Sequence, residues 1–180
     1  MTEEGALQRT GGRGPILRRG VSAVVVAAVF SGLSGCVMTN GPVETPSGFR
    51  LDGSALVVAM PVCRDETITG SEIVVRGEGG FKTIWSARGP RTAQAREGVF
   101  QVNSPRDFAT VTKELSGALP KTFHLELVHI RDGEETTRSG YVDLDKARSA
   151  ELADGEFVTH KGDVMTRAKI NAQLSCNKKK

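Results

Sequence analysis

The 180-residue sequence has no apolar run long enough to cross a membrane, no Cys-x-x-Cys pair, no Gly-x-Ser-x-Gly and no large excess of either charge. Each absence closes off a class of protein. The longest apolar stretch, 21–33, has 13 residues. A span needs ~20, so a multi-pass membrane protein is excluded. A formal charge of +3 is too small to argue for nucleic acid. Three cysteines cannot make a disulfide-dense miniprotein, and an odd number leaves one outside any simple paired framework. Without Gly-x-Ser-x-Gly there is no support for the nucleophile elbow of an α/β-hydrolase. The length bounds the chain to one domain, or one domain with an appendage.

What is present is most specific at the start. Arg9, Arg13, Arg18 and Arg19 make a basic leader against only Glu3 and Glu4, and the apolar run follows directly. A basic region, a short apolar region and small residues after it form a secretory signal peptide, here 1–35. Leu33-Ser34-Gly35-Cys36 closes it and resembles the lipobox of bacterial lipoprotein precursors. That resemblance implies cleavage after Leu33, Ser34 and Gly35, and a thioether-linked diacylglyceryl group on Cys36, the new N-terminus. The residue types suit the chemistry: a lipid-transfer enzyme needs an accessible thiol, and the peptidase needs small side chains before it. Two acyl chains, at ~0.8 kcal/mol per buried methylene, hold a protein stably where one gives only marginal binding. The expected location is therefore the outer face of the cell membrane, with the lipid bilayer as a partner through Cys36. Arg18-Arg19 fits a twin-arginine signal only loosely, so Sec is the expected route.

Removing residues 1–35 leaves 145 residues with 20 basic and 19 acidic side chains. Residues 37–54 mix Pro42, Pro46 and three glycines without a period, which predicts a tether. From Ala55 the pattern is mainly β. Strands are expected at 55–60, 71–76, 81–86, 98–102, 109–115, 122–131 and 139–144, separated by turns such as Gly77–Gly80 and Asp132-Gly133. In 122–131 the side chains of Phe123, Leu125 and Leu127 fall on one face, with His124, Glu126 and Val128 opposite. This predicts an antiparallel β-sandwich over 55–180, immunoglobulin-like in kind. Asp163 and Thr166 are candidate N-caps before Ile170 and Leu174, which are spaced i, i+4. A short helix over about 165–175 is expected, with a last strand as the alternative.

With Cys36 assigned to lipid, Cys63 and Cys176 remain, in a chain that folds outside the reducing cytoplasm. A Cys63–Cys176 disulfide is expected, against free thiols or a metal-ligand pair. His124-Leu-Glu126 has the H-x-E spacing of zinc deaminases but lacks their Pro-Cys-x-x-Cys, and on a strand His129 would point away from that pair. His160 is expected in a loop and Trp85 in the core. No catalytic residue, metal site or cofactor is assigned.

The order of lipobox, tether, Leu56-Val-Val with Pro61-x-Cys63, a later Trp85 strand and terminal Ser175-Cys176 resembles small exported lipoproteins of high-GC Gram-positive bacteria. That resemblance implies location and fold, not a substrate. The expected function is a non-enzymatic binding or interaction module whose partner is an envelope protein or cell-wall component, contacted through edge strands or loops. A cell-envelope enzyme, or an accessory to one, is the alternative. Convergence of His124, Glu126 and His160 would favour a metal-dependent enzyme, and their scatter the binding module.

Overall fold

The structure is a computed structural model and describes residues 45–178. Ten strands form two five-stranded antiparallel sheets packed as a β-sandwich. One sheet contains β1 (Gly48–Asp52), β2 (Ala55–Ala59), β5 (Val99–Gln101), β9 (Glu156–Thr159) and β10 (Val164–Thr166), in the order β10-β9-β1-β2-β5. The other contains β3 (Thr67–Gly77), β4 (Gly80–Pro90), β6 (Phe108–Lys113), β7 (Thr122–Arg131) and β8 (Glu134–Asp143), in the order β6-β4-β3-β7-β8. The expected sandwich is present, with more strands than an immunoglobulin domain uses.

Alternation along each strand builds the core. Phe123, Leu125 and Leu127 of β7 are buried and meet Ile73 and Trp85 of the same sheet, and Phe49, Val58 and Phe100 of the other. Trp85 is fully buried, as the sequence predicts, and meets Phe108 edge-on at 6.0 Å. The β7–β8 hairpin turns on Asp132-Gly133, whose φ values of 53° and 83° match the twist of the flanking strands. It pairs from Thr122↔Asp143 to Arg131↔Glu134 without a slip.

Four elements differ from expectation. Residues 48–52, expected in the tether, form β1, where Phe49 is buried opposite Val58, so the domain begins before Ala55. Prolines and glycines on both sides hide a five-residue strand. Glu156–Thr159 is β9, too short for a visible period. Leu144, expected to end a strand, begins α2 (Leu144–Ser149), because the Asp143 carboxylate accepts from the amides of Asp145 and Lys146. A one-turn α1 (Ala93–Arg96) is capped by Thr92. At the C-terminus both expected alternatives occur in turn: β10 is followed by α3 (Arg167–Ala172), with Thr166 as its N-cap, and then a 3-10 turn at Ser175–Asn177. α3 lies on the outer face of its sheet, where Ile170 covers Ala59 and Phe157 in a second small core.

Candidate functional site

Cys63 and Cys176 are joined, 113 residues apart in sequence. The bridge ties the β2–β3 connection to the C-terminal 3-10 turn, and Asn177 reinforces it by donating to the Val62 and Asn171 carbonyls at 2.7 and 3.0 Å. Beside the bridge the Glu66 side chain is fully buried. Its carboxylate accepts two hydrogen bonds from Arg138, at 2.8 and 2.7 Å, and one from the Cys63 amide at 2.9 Å. His129 Nε2 lies 3.4 Å away. Burial pushes the Glu66 carboxyl up, but the Arg138 hydrogen bonds, the Cys63 amide and the charges of Arg138 and His129 outweigh it, and the net shift is downward. The acceptor capacity of this carboxylate is taken up by structural donors.

A cleft of about 450 Å³ opens next to this cluster. Its walls are the Val62–Glu66 connection, the end of α1 and one side of α3. Arg167 spans the floor, donating to the carbonyls of Met60, at 2.7 Å, and of Glu97. Burial pulls its guanidinium down to about 10, with Glu97 opposing. Arg64 and Arg96 stand exposed on the rim. Arg96 donates from its Nε to the Pro90 carbonyl at 3.3 Å, and among the described residues its terminal nitrogens make no hydrogen bond. Such forked donors suit carboxylate or phosphate oxygens. Glu97 is the exposed carboxylate on the same rim.

At the other end of β3, four rings form a continuous row. Phe81 meets His124 at 5.6 Å, His124 meets Tyr141 at 5.3 Å, and Tyr141 meets His160 at 5.9 Å, all edge-to-face. Phe81 is 68% exposed and the other three are half-buried.

The sequence-derived candidates separate accordingly. His124 and His160 both pack on Tyr141, whereas His129 is buried at the far end of β7 against Glu66. Among the described residues no group of three His, Cys, Asp or Glu side chains is placed to hold a metal ion. His160 sits in the β9–β10 turn, as expected of a loop residue. Leu33, Ser34, Gly35 and Cys36, together with the start of the tether, lie outside the described residues. The cleft escapes sequence reasoning because its residues come from positions 62–66, 96–97, 167–172 and 177, with no spacing motif linking them. The chain matches no family model, curated protein or solved structure.

Proposed function

We propose that the mature chain is a lipid-anchored, extracytoplasmic binding module without catalytic activity. Diacylglyceryl-Cys36 holds it at the membrane, and the Arg64/Arg96 cleft receives an envelope protein or cell-wall component. One observation carries this reading: of the titratable groups that the fold gathers, Glu66 and His129 are buried, Arg138 is partly buried, and all three are spent on one another, while the adjacent cleft offers exposed guanidinium donors. Saturated groups hold a scaffold, and exposed forked donors hold a ligand. The disulfide supports the extracytoplasmic setting, and it leaves Cys36 as the cysteine free for lipid.

The test is photo-crosslinking in intact cells. A reactive side chain is placed at Arg64 or Arg96, and as a control at Lys121, an exposed residue that does not line the cleft. An adduct formed from the cleft positions and absent from the control is expected. Equal labelling from all three would sink the cleft as the contact surface. Anchoring is tested separately by intact mass: Cys36→Ala should abolish the diacylglyceryl increment and release the chain from the membrane fraction.

A further inference from the structure

We infer that the ring row ending in Phe81 is a membrane-contact face, seated on the bilayer that would hold the acyl chains of Cys36. The inference rests on the lipid-anchor reading above and adds to it an orientation for the domain.

Three observations point to this occupant. The first is apolar exposure on a protruding element. Phe81 stands at the tip of the β3–β4 hairpin, where Gly77 pairs with Gly80, and its ring leans on His124 rather than into the core. The second is charge. Exposed Arg76 lies directly across from Phe81 in the strand register, Lys82 follows it, and Lys161 follows His160 at the other end of the row. Glu78 in the hairpin turn, Glu126 two residues along β7 from His124, and exposed Asp163 two residues after Lys161 are acidic groups nearby, so the cations cluster most closely at the Phe81 end. An aromatic ring flanked by cations suits the boundary between anionic headgroups and acyl chains.

The third observation is where the tether leaves. Gly48 pairs with Thr159, the residue before His160, and the Ser47 hydroxyl packs against Gly140, the residue before Tyr141. Gln173, the C-cap of α3, donates to the Pro46 carbonyl at 3.0 Å, so the chain leaves the domain between the Tyr141–His160 end of the row and the end of α3. From Cys36 to Gly48 even a fully extended chain reaches at most roughly 40 Å. Tethering at that range raises the effective concentration of bilayer at the row to the millimolar order, so a contact too weak to bind alone is enough to set orientation. Glu66 and the Arg64/Arg96 cleft lie at the opposite end of β3, whose eleven residues span roughly 35 Å. With Phe81 on the membrane, the Arg64/Arg96 rim stands at the far end of β3 from that contact.

The full chain, purified from membranes, is reconstituted in phosphatidylcholine–phosphatidylglycerol vesicles whose acyl chains carry bromine. Phe81→Trp supplies the reporter, and the wild-type chain reports buried Trp85 alone. Emission from the indole introduced at position 81 should shift to the blue and be quenched by the brominated lipid, while Trp85 emission is unchanged. Emission from position 81 that stays water-like and open to iodide would overturn the inference, as would crosslinking of that position to a second copy or another protein. The unlipidated Cys36→Ala chain, added to the same vesicles, should bind weakly. Phe81→Asp should weaken that binding roughly tenfold further. Intact mass separates the two readings: a chain without diacylglyceryl overturns the anchor, whereas a lipidated chain whose position-81 indole is solvated overturns only the contact face.

Discussion

Arg138 and Glu66 are 72 residues apart in sequence and meet end-on, with both terminal nitrogens of the guanidinium on both oxygens of a fully buried carboxylate. The same Nη1 also donates to the Pro61 carbonyl at 2.7 Å, so one side chain of β8 fixes the connection that carries Cys63. Removing one partner of a buried ion pair strands the other charge. Arg138→Met should therefore cost about 3 kcal/mol in chemical denaturation. Adding Glu66→Gln should recover most of that loss. Equal stability of Arg138→Met and wild type would show that the pair contributes nothing net.

The same carboxyl sets an acid limit. Its pKa in the folded chain lies below the ordinary 4.5 because the Arg138 and Cys63 hydrogen bonds overcome the opposing effect of burial. A depressed folded pKa gives stability that is complete above the unfolded value and is lost as pH falls through the folded one. Urea midpoints followed downward from neutral pH should fall below about pH 4.5 in the wild type. The Glu66→Gln chain should show a shallower acid limb. Identical limbs would assign the acid transition to other carboxylates.

The Cys63–Cys176 bridge closes a loop with a sequence separation of 113. The chain-entropy argument gives roughly 4–5 kcal/mol for a loop of that length. Cys176→Ser, or reduction, should lower stability by several kcal/mol, on the order of that figure. Mass spectrometry without reductant should recover the two cysteine peptides linked. Two freely alkylated thiols would remove the bridge from the account.

Where one strand carries its own period, its sequence shows its structure. β7 has the expected boundaries, and its core face is the expected Phe123, Leu125 and Leu127, because half-burial imposes alternation over 122–127; beyond that the pattern breaks, and Val128, expected on the opposite face, and His129 are buried as well. β1 is hidden because it starts on Gly48, Gly53 follows it and Pro46 precedes it, so its Phe49 and Leu51 sit in a stretch with the composition of a linker. α2 is hidden because its cap, Asp143, also ends a strand whose pattern runs into Leu144. The cleft and the ring row are harder still. Arg64, Arg96 and Arg167 share a site only because α1 and α3 converge on the disulfide. Phe81, His124, Tyr141 and His160 share a row only through strand register. Long-range pairing leaves no spacing to find.

Gly140 marks a place where the two sheets approach too closely for a side chain. A Cβ there would collide with the Ser47 side chain and come within 3.1 Å of the Met60 sulfur. Both neighbours are fully buried and cannot swing aside. Gly140→Ala should cost on the order of 1–3 kcal/mol, the usual range for overpacking. A fall of the thermal midpoint by several degrees checks it, and an unchanged midpoint would mean that the sheets can part locally at little cost.

Trp85 is fully buried and its indole Nε1 has no hydrogen-bond partner among the described residues. Two effects then oppose each other in Trp85→Phe. The smaller ring leaves a void beside Phe108, which it now meets edge-on at 6.0 Å, and voids in a packed interior destabilise. The substitution also removes a buried donor that is desolvated without compensation, which by itself stabilises by about 1–3 kcal/mol. The two largely cancel, so Trp85→Phe should lie within about 1.5 kcal/mol of wild type. Trp85→Ala removes the same donor but empties the whole site, and should cost about 3–5 kcal/mol. The ratio between the two variants is the diagnostic measurement. If Phe proves nearly as damaging as Ala, the indole N–H contributes to stability through a water or a shifted carbonyl. A tolerant Phe and a severe Ala would show that this residue acts through volume alone.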